Sequence, residues 1–139
     1  MRDYTLTQSK IITLKTKQLR FSDLAYIRSS EESVEMELFM AGESMFRLSI
    51  DYLVCLEEGC MSKAAFNERY LSPAYPDSLL QNVLLGKKIY EGINLIRTPD
   101  EKIQRIQSDD VDIFYRVTSK QIYFKDSKNK ILFKIKESK

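Results

Sequence analysis

The sequence predicts an α+β fold, in which a curved antiparallel β-sheet (an incomplete barrel) of about seven or more strands carries two short helices inserted mid-chain as a lid. Two observations lead to this prediction. Apolar and polar residues alternate with a period of two in the first half and the last third of the chain, as in half-buried strands. Over residues 62–89 the apolar spacing becomes helical, and prolines interrupt it.

The clearest strand pattern is a hairpin in the first half of the chain. Apolar residues alternate with Glu35 and Glu37 over residues 34–40, and a second alternating run extends over residues 46–54. Residues 41–43 between the two runs include a glycine and form the predicted turn.

Two more strands are predicted before this hairpin. The first contains Ile12 and Leu14, and Ser22 and Asp23 form the predicted turn after it. The core-facing residues of the second strand are either Leu24 and Tyr26 or Ala25 and Ile27. The four strands together form a meander.

Two short helices follow. Ser62 is suited to N-cap a helix that runs to Leu71 and ends before Pro73. Pro76 opens a second helix, and Gly86 is suited to C-cap it. An antiparallel sheet with one apolar face must cover that face, so these helices are expected to lie on it.

The alternating pattern of strands returns in the last third, with runs over residues 111–117, 121–125 and 131–135. The chain, residues 1–139, is therefore expected to be a single domain. Its parts are strands within 8–61, a helical insert over 62–89 and strands within 93–137.

Several absences weigh against catalysis. The sequence has no histidine, the commonest general base and metal ligand. It also has no glycine-rich phosphate-binding motif and no CxxC pair. We therefore expect a protein that is not an enzyme and needs neither a cofactor nor a metal.

Charge is distributed unevenly. Residues 1–20 have five basic residues against one acidic, and residues 111–139 have eight against three, whereas the middle of the chain is acidic. If the terminal strands are neighbours, they form one basic surface that suits anionic lipid or nucleic acid. The alternative is a solvated strand face whose lysines protect the sheet from aggregation.

Cys55 and Cys60 are the two cysteines, and four residues including Gly59 separate them. A hairpin over this segment would place the two thiols across from each other, which favours a disulfide and an oxidising compartment. The alternative is a pair of unrelated buried thiols in a cytosolic protein. The CxxxxC spacing favours a structural bridge over a catalytic one.

Two other groups of residues suit binding. Met40 and Met45 flank the turn over 41–43, where they predict an apolar loop tip. Residues 70–77 place Tyr70 and Tyr75 among prolines, as an interface or as a rigid connector. Aromatic residues that lie beside Lys and Arg are Tyr115, Tyr123, Phe124 and Phe133. Such pairs occur on nucleic-acid platforms, but half-buried strands show them too, and we expect no nucleic acid partner.

Three stretches resemble a known family. These are residues 38–48 (LFMAGESMFRL), residues 77–87 (DSLLQNVLLGK), and the closing strands with residues 122–124 and 131–135. They resemble the LolA/LolB family of outer-membrane lipoprotein carriers and receptors. The chain is also similar to small predicted lipoproteins of epsilonproteobacteria, through residues 55–60 (CLEEGC) and 75–81 (YPDSLLQ). The resemblance implies an incomplete barrel with helical lids, acyl chains held on its concave face, and a lipidated N-terminus.

We therefore expect a periplasm-facing lipoprotein-type domain that binds an acyl chain or another apolar ligand between sheet and helices. The expected location is the periplasm or an anchor on the outer membrane, with the export signal trimmed, rather than the cytoplasm. The expected partners are the ligand or another envelope protein, with peripheral contact to the membrane. The expected lining residues are Met36, Leu38, Phe46, Leu48, Ile50, Leu80, Leu84, Ile113 and Tyr115. The alternative is a protein-interaction module with a filled core, which would use the basic surface or the tyrosine link.

Overall fold

The computed structural model describes residues 4–17 and 19–138, and eleven strands within them form one open, curved antiparallel sheet. The strands are β1 (Leu6–Lys15), β2 (Arg20–Ser29), β3 (Val34–Met40), β4 (Glu43–Ile50), β5 (Val54–Leu56), β6 (Gly59–Met61), β7 (Ile96–Arg97), β8 (Glu101–Gln107), β9 (Asp112–Thr118), β10 (Gln121–Asp126) and β11 (Ile131–Glu137). Their spatial order is β6-β5-β4-β3-β2-β1-β11-β10-β9-β8-β7. Two helices, α1 (Lys63–Tyr70) and α2 (Leu79–Leu85), connect β6 to a 3₁₀ turn at Tyr90–Gly92 and then to β7.

The predicted α+β class is wrong. The chain is 52% strand and 13% helix, so the fold is a mainly antiparallel sheet, and its eleven strands exceed the predicted minimum of about seven. One strand that had not been recognised is β8. Its isoleucines, Ile103 and Ile106, are three residues apart, and the buried position between them is Gln104. This spacing hides the period of two that identifies a strand.

Two boundaries in the first half also differ from the prediction. Ser22 and Asp23 lie inside β2 rather than in a turn, because Leu14 pairs with Phe21, and the Thr16 N–H donates to the Leu19 carbonyl oxygen (2.8 Å). Of the two alternatives for β2, Ala25 and Ile27 face the core.

The predicted strand over residues 46–54 is two strands. The backbone N–H of Asp51 donates to the Leu53 carbonyl oxygen (3.0 Å), and this turn places Ile50 opposite Val54. Tyr52, at the tip of the turn, is 91% exposed.

The start of α1 and the end of α2 lie where their capping residues predict, whereas α2 begins at Leu79, three residues after Pro76, which was expected to open it. The Ser62 side chain accepts a hydrogen bond from the Ala65 N–H (3.0 Å), and Gly86 ends α2 in the left-handed conformation, with φ of 68°. Helix α2 packs against β3 and β10. Its buried residues are Leu79, Leu80, Val83 and Leu84.

The terminal strands are neighbours, since β1 pairs with β11 from Lys10–Glu137 to Lys15–Leu132. Strand β1 therefore joins two halves of the sheet, an N-terminal half (β2–β6) and a C-terminal half (β7–β11). We call the sheet face turned away from the helices the outer face. The two edge strands, β6 and β7, are three and two residues long, which limits edge-to-edge pairing with other chains.

Candidate binding surface

The residues predicted to line an apolar ligand site form a packed core instead of an open space. All nine belong to or pack against one hydrophobic cluster, and eight of them are no more than 5% exposed. Phe46 is the partly buried member. Leu79 and Val83 of α2, both 0% exposed, occupy the space under the helix. Ligand binding in this space stays a prediction. Five clefts of the described residues are lined by other side chains.

Tyr115 has a structural partner at this place. Its hydroxyl donates to the Lys87 carbonyl oxygen (2.7 Å), which attaches the end of α2 to β9. Burial of the hydroxyl raises the pKa of Tyr115 well above its ordinary value.

The tyrosine link, residues 70–77, differs between its two ends. Tyr75 is 5% exposed and its hydroxyl donates to the Asp126 carboxylate (2.6 Å), so this end is a connector rather than an interface. Burial first, and then the hydrogen bond to Asp126, raise the pKa of Tyr75. Tyr70 is partly buried and packs against Phe66, with ring centroids 4.8 Å apart.

The loop tip over residues 41–43 presents its flanking methionines to solvent. Met40 is 50% and Met45 is 58% exposed. Ala41 and Gly42 both have positive φ, 53° and 83°, in the tight turn between β3 and β4.

Glu37 is a buried carboxylate on the outer face of the N-terminal half, and it binds two arginines. Its side chain, 4% exposed, accepts hydrogen bonds from Arg28 (3.0 Å), Arg47 (2.7 Å) and Ser44 (2.7 Å). Arg28 also pairs with Glu35 (2.7 Å). Burial is the largest effect on Glu37 and opposes ionisation, but the three hydrogen bonds outweigh it and lower its pKa. Arg28 and Arg47 are therefore already paired.

Asp126 is a buried carboxylate in the C-terminal half, and it lies on the helix-facing side. Its donors are the Tyr75 hydroxyl, the Asn129 amide (2.6 Å) and the backbone N–H groups of Asp112, Lys128 and Asn129. Burial opposes its ionisation most strongly, yet these hydrogen bonds together lower its pKa. All of these donors are neutral, so this acid pairs with no lysine or arginine.

The outer face of the C-terminal half, extended by β1 and the start of β2, has two rows of aligned side chains that run across the strands. The first row is Arg105, Phe114, Lys125, Leu132, Lys15 and Arg20, and the second is Ile103, Arg116, Tyr123, Lys134, Thr13 and Ser22. We call them the basic rows. They contain six cations and no acidic residue. Among the described residues, Arg116 is the one cation of the rows with an ion-pair partner, Glu101 at 2.8 Å.

Aromatic side chains in the basic rows pack against one another and against a cation. The rings of Phe114 and Tyr123 meet edge to face, with centroids 6.0 Å apart. The Arg105 guanidinium lies 4.9 Å from the Phe114 ring centroid, so it covers one face of that ring. A small cleft of about 110 Å³ beside them is lined partly by Arg116, Lys120 and Tyr123.

Of the four aromatics that sequence reasoning placed beside cations, one lies on this surface. Tyr123 is on the outer face, whereas Tyr115, Phe124 and Phe133 face the core at 1%, 0% and 4% exposure. Sequence reasoning missed Phe114 as a surface aromatic. Its neighbours Arg105 and Lys125 come from other strands, so the pattern appears only once the register is known.

Cys55 and Cys60 form the predicted disulfide, between the directly opposed strands β5 and β6. No described helix has the length and apolarity needed to cross a membrane. Within the described ranges, no group of three or more His, Cys, Asp or Glu side chains is placed to hold a metal ion. No family model, curated protein or solved structure matches this chain. The resemblance to the LolA/LolB family therefore remains a prediction.

Proposed function

We propose that the chain is a non-catalytic protein-interaction domain of the cell envelope, and that it binds an acidic protein surface through the basic rows. The observation that supports this proposal is the alignment of six cations, without an acidic residue, on one sheet face. A surface on which most cations lack an acidic neighbour raises the association rate of an acidic partner and fixes its orientation.

The spacing of the rows suits an extended acidic surface. Neighbouring strands lie about 4.8 Å apart, so Arg105, Lys125 and Lys15, which occupy every second strand, are about 10 Å apart. Phe114 and Leu132 lie between them and are half-buried. Arginine and aromatic side chains are enriched in protein interfaces, while lysine favours the rim.

A protein partner fits better than a nucleic acid. A nucleic acid platform needs free ring faces on which bases stack. Arg105 covers one face of Phe114, and Tyr123 packs on that ring edge to face. Aliphatic residues, Ile103 and Leu132, occupy the neighbouring positions in the rows.

The compartment in the proposal rests on the disulfide. A Cys55–Cys60 bridge persists in oxidising compartments such as the periplasm, which agrees with the location that the family resemblance implies. An acyl ligand between sheet and helices is less well supported, because side chains of α2 occupy that space.

Peptide binding tests the proposal. We expect a fluorescently labelled Glu-rich peptide to bind, with an affinity that falls as salt is added, and a Lys-rich peptide of equal length not to bind. A single-stranded oligonucleotide and phosphatidylglycerol vesicles, whose anionic headgroup is a phosphodiester, serve as competitors of other classes. Tighter binding to either of these than to the Glu-rich peptide would overturn the proposal.

A further inference from the structure

A second basic site lies on the other side of the sheet, in a cleft between the end of α2 and strands β7 and β8. Its volume is about 480 Å³, within the range of small-molecule sites. The cleft is lined by Ser78, Asn82, Lys87, Lys88, Glu91, Arg97 and Lys102. Four of these residues are cations and one is an acid, and none of them belongs to the basic rows.

The walls of this cleft are held by hydrogen bonds from the sheet. Lys102 Nζ donates to the Gly86 carbonyl oxygen (2.8 Å), and the Tyr115 hydroxyl donates to the Lys87 carbonyl oxygen (2.7 Å). These contacts fix the end of α2 on β8 and β9. A preformed wall reduces the entropy lost when a ligand binds.

Gln104 holds the next segment. Its buried amide accepts from the Ile89 N–H (2.9 Å) and donates to the carbonyl oxygens of Ile89 and Ile93, both at 2.8 Å. Between these anchors, Tyr90 and Glu91 adopt positive φ (49° and 57°), which is uncommon for residues other than glycine. Gln104 thus holds both sides of this segment, which includes Glu91 of the cleft wall.

The charges of the cleft are only partly used by the fold. Cations near the end of a helix are favoured by its dipole, and Lys102 fulfils that role through the Gly86 carbonyl. The side chains of Lys87, Lys88 and Arg97 are exposed and make no ion pair with a described residue. They remain available to an anion.

We propose that this cleft binds the phosphomonoester group of a small ligand. A phosphomonoester has a charge near −2 at neutral pH and accepts several hydrogen bonds, which suits two ammonium groups and one guanidinium. The planar fork of Arg97 matches two phosphate oxygens, and Ser78 and Asn82 offer neutral donors in the same cleft. The volume leaves room for the remainder of the molecule.

Calorimetry tests this proposal, with glycerol 3-phosphate as the soluble probe and phosphatidylcholine vesicles with or without phosphatidic acid as the lipid probe. We expect saturable binding of one phosphomonoester source, and at least a tenfold loss of affinity in Lys87→Ala/Arg97→Ala. Lys63→Ala/Lys128→Ala, with the same charge change elsewhere, should stay within twofold. Binding of glycerol 3-phosphate alone would indicate a soluble phosphate ester as the ligand, and binding of phosphatidic acid vesicles alone would indicate a lipid headgroup.

Two results would overturn the proposal, namely no binding of either probe, or equal loss in the cleft and control variants. Arg97→Lys keeps the charge and removes the fork, so it tests the site if the double variant folds poorly. Binding of the Glu-rich peptide should persist in Lys87→Ala/Arg97→Ala. Failure of the cleft proposal therefore leaves the proposed protein interaction untouched.

Discussion

The two halves of the sheet each bury one carboxylate, but on opposite sides. Glu37 lies on the outer face of the N-terminal half and binds Arg28 and Arg47. Asp126 lies on the helix-facing side of the C-terminal half, where neutral donors such as Tyr75 and Asn129 satisfy it.

This difference decides which cations are left for a partner. In the N-terminal half, Glu37 on the outer face engages Arg28 and Arg47, so these charges stabilise the fold. In the C-terminal half, the buried acid engages no cation, and five of the six cations of the basic rows have no ion-pair partner among the described residues. A basic surface thus depends on where the acids point as much as on how many lysines a segment has.

The largest expected effect comes from removal of the acid of the N-terminal half. Glu37→Ala should lower the free energy of unfolding by about 2 kcal/mol, because two arginines lose their partner. This loss is smaller than that for a fully buried ion pair, since both arginines reach solvent. Lys134→Ala, in the basic rows, should change it by less than about 0.5 kcal/mol. Urea unfolding measures both. Equal losses would remove the distinction between the two halves.

Acid pH sharpens the same comparison. Both Glu37 and Asp126 have a folded pKa below the usual value, so each stabilises the fold fully above the unfolded pKa, which is about 4. That contribution is lost as the pH falls through the lower folded pKa. Glu37→Gln should flatten the fall in unfolding free energy between neutral and acid pH. An unchanged slope would mean that Glu37 is not held ionised by its arginines.

The smallest effects are expected from two tyrosines beside the acid of the C-terminal half. Tyr75→Phe should cost about 1.5 kcal/mol, since a buried donor to a charged group is lost. Tyr90→Phe should cost less than about 0.5 kcal/mol, because the buried Tyr90 hydroxyl has no hydrogen-bond partner among the described residues. Thermal and urea unfolding of the two variants compare them directly. A larger loss from Tyr90→Phe would contradict this account of Asp126.

Local patterns in the sequence predict much of the fold. Ser62 and Gly86 mark helix ends because caps act within one turn of the chain. The alternation that defines β3 and β11 is equally local. Strand β8 was missed because a polar residue, Gln104, occupies one of its core positions. Gln104 is buried there because it hydrogen-bonds to Ile89 and Ile93, and no local pattern in the sequence reveals those contacts.

The candidate surface depends on information that local patterns lack. The basic termini were visible in the sequence, and the terminal strands are indeed neighbours. Which aromatic residues lie on the same sheet face as the basic residues depends on the register of strand pairing. A shift of one residue in that register moves every side chain of a strand to the opposite face. Phe124 was therefore named beside cations and Phe114 was not, yet Phe114 lies in the basic rows and Phe124 in the core.

Peptide binding by charge-reversed variants tests the central claim most directly. Lys125→Glu/Lys134→Glu reverses two cations of the basic rows, and Lys63→Glu/Lys128→Glu makes the same change in net charge outside them. We expect the first variant to bind the Glu-rich peptide at least tenfold more weakly than the unaltered protein, and the control to stay within twofold. Equal affinities in the two variants would contradict the claim that the basic rows are the binding surface.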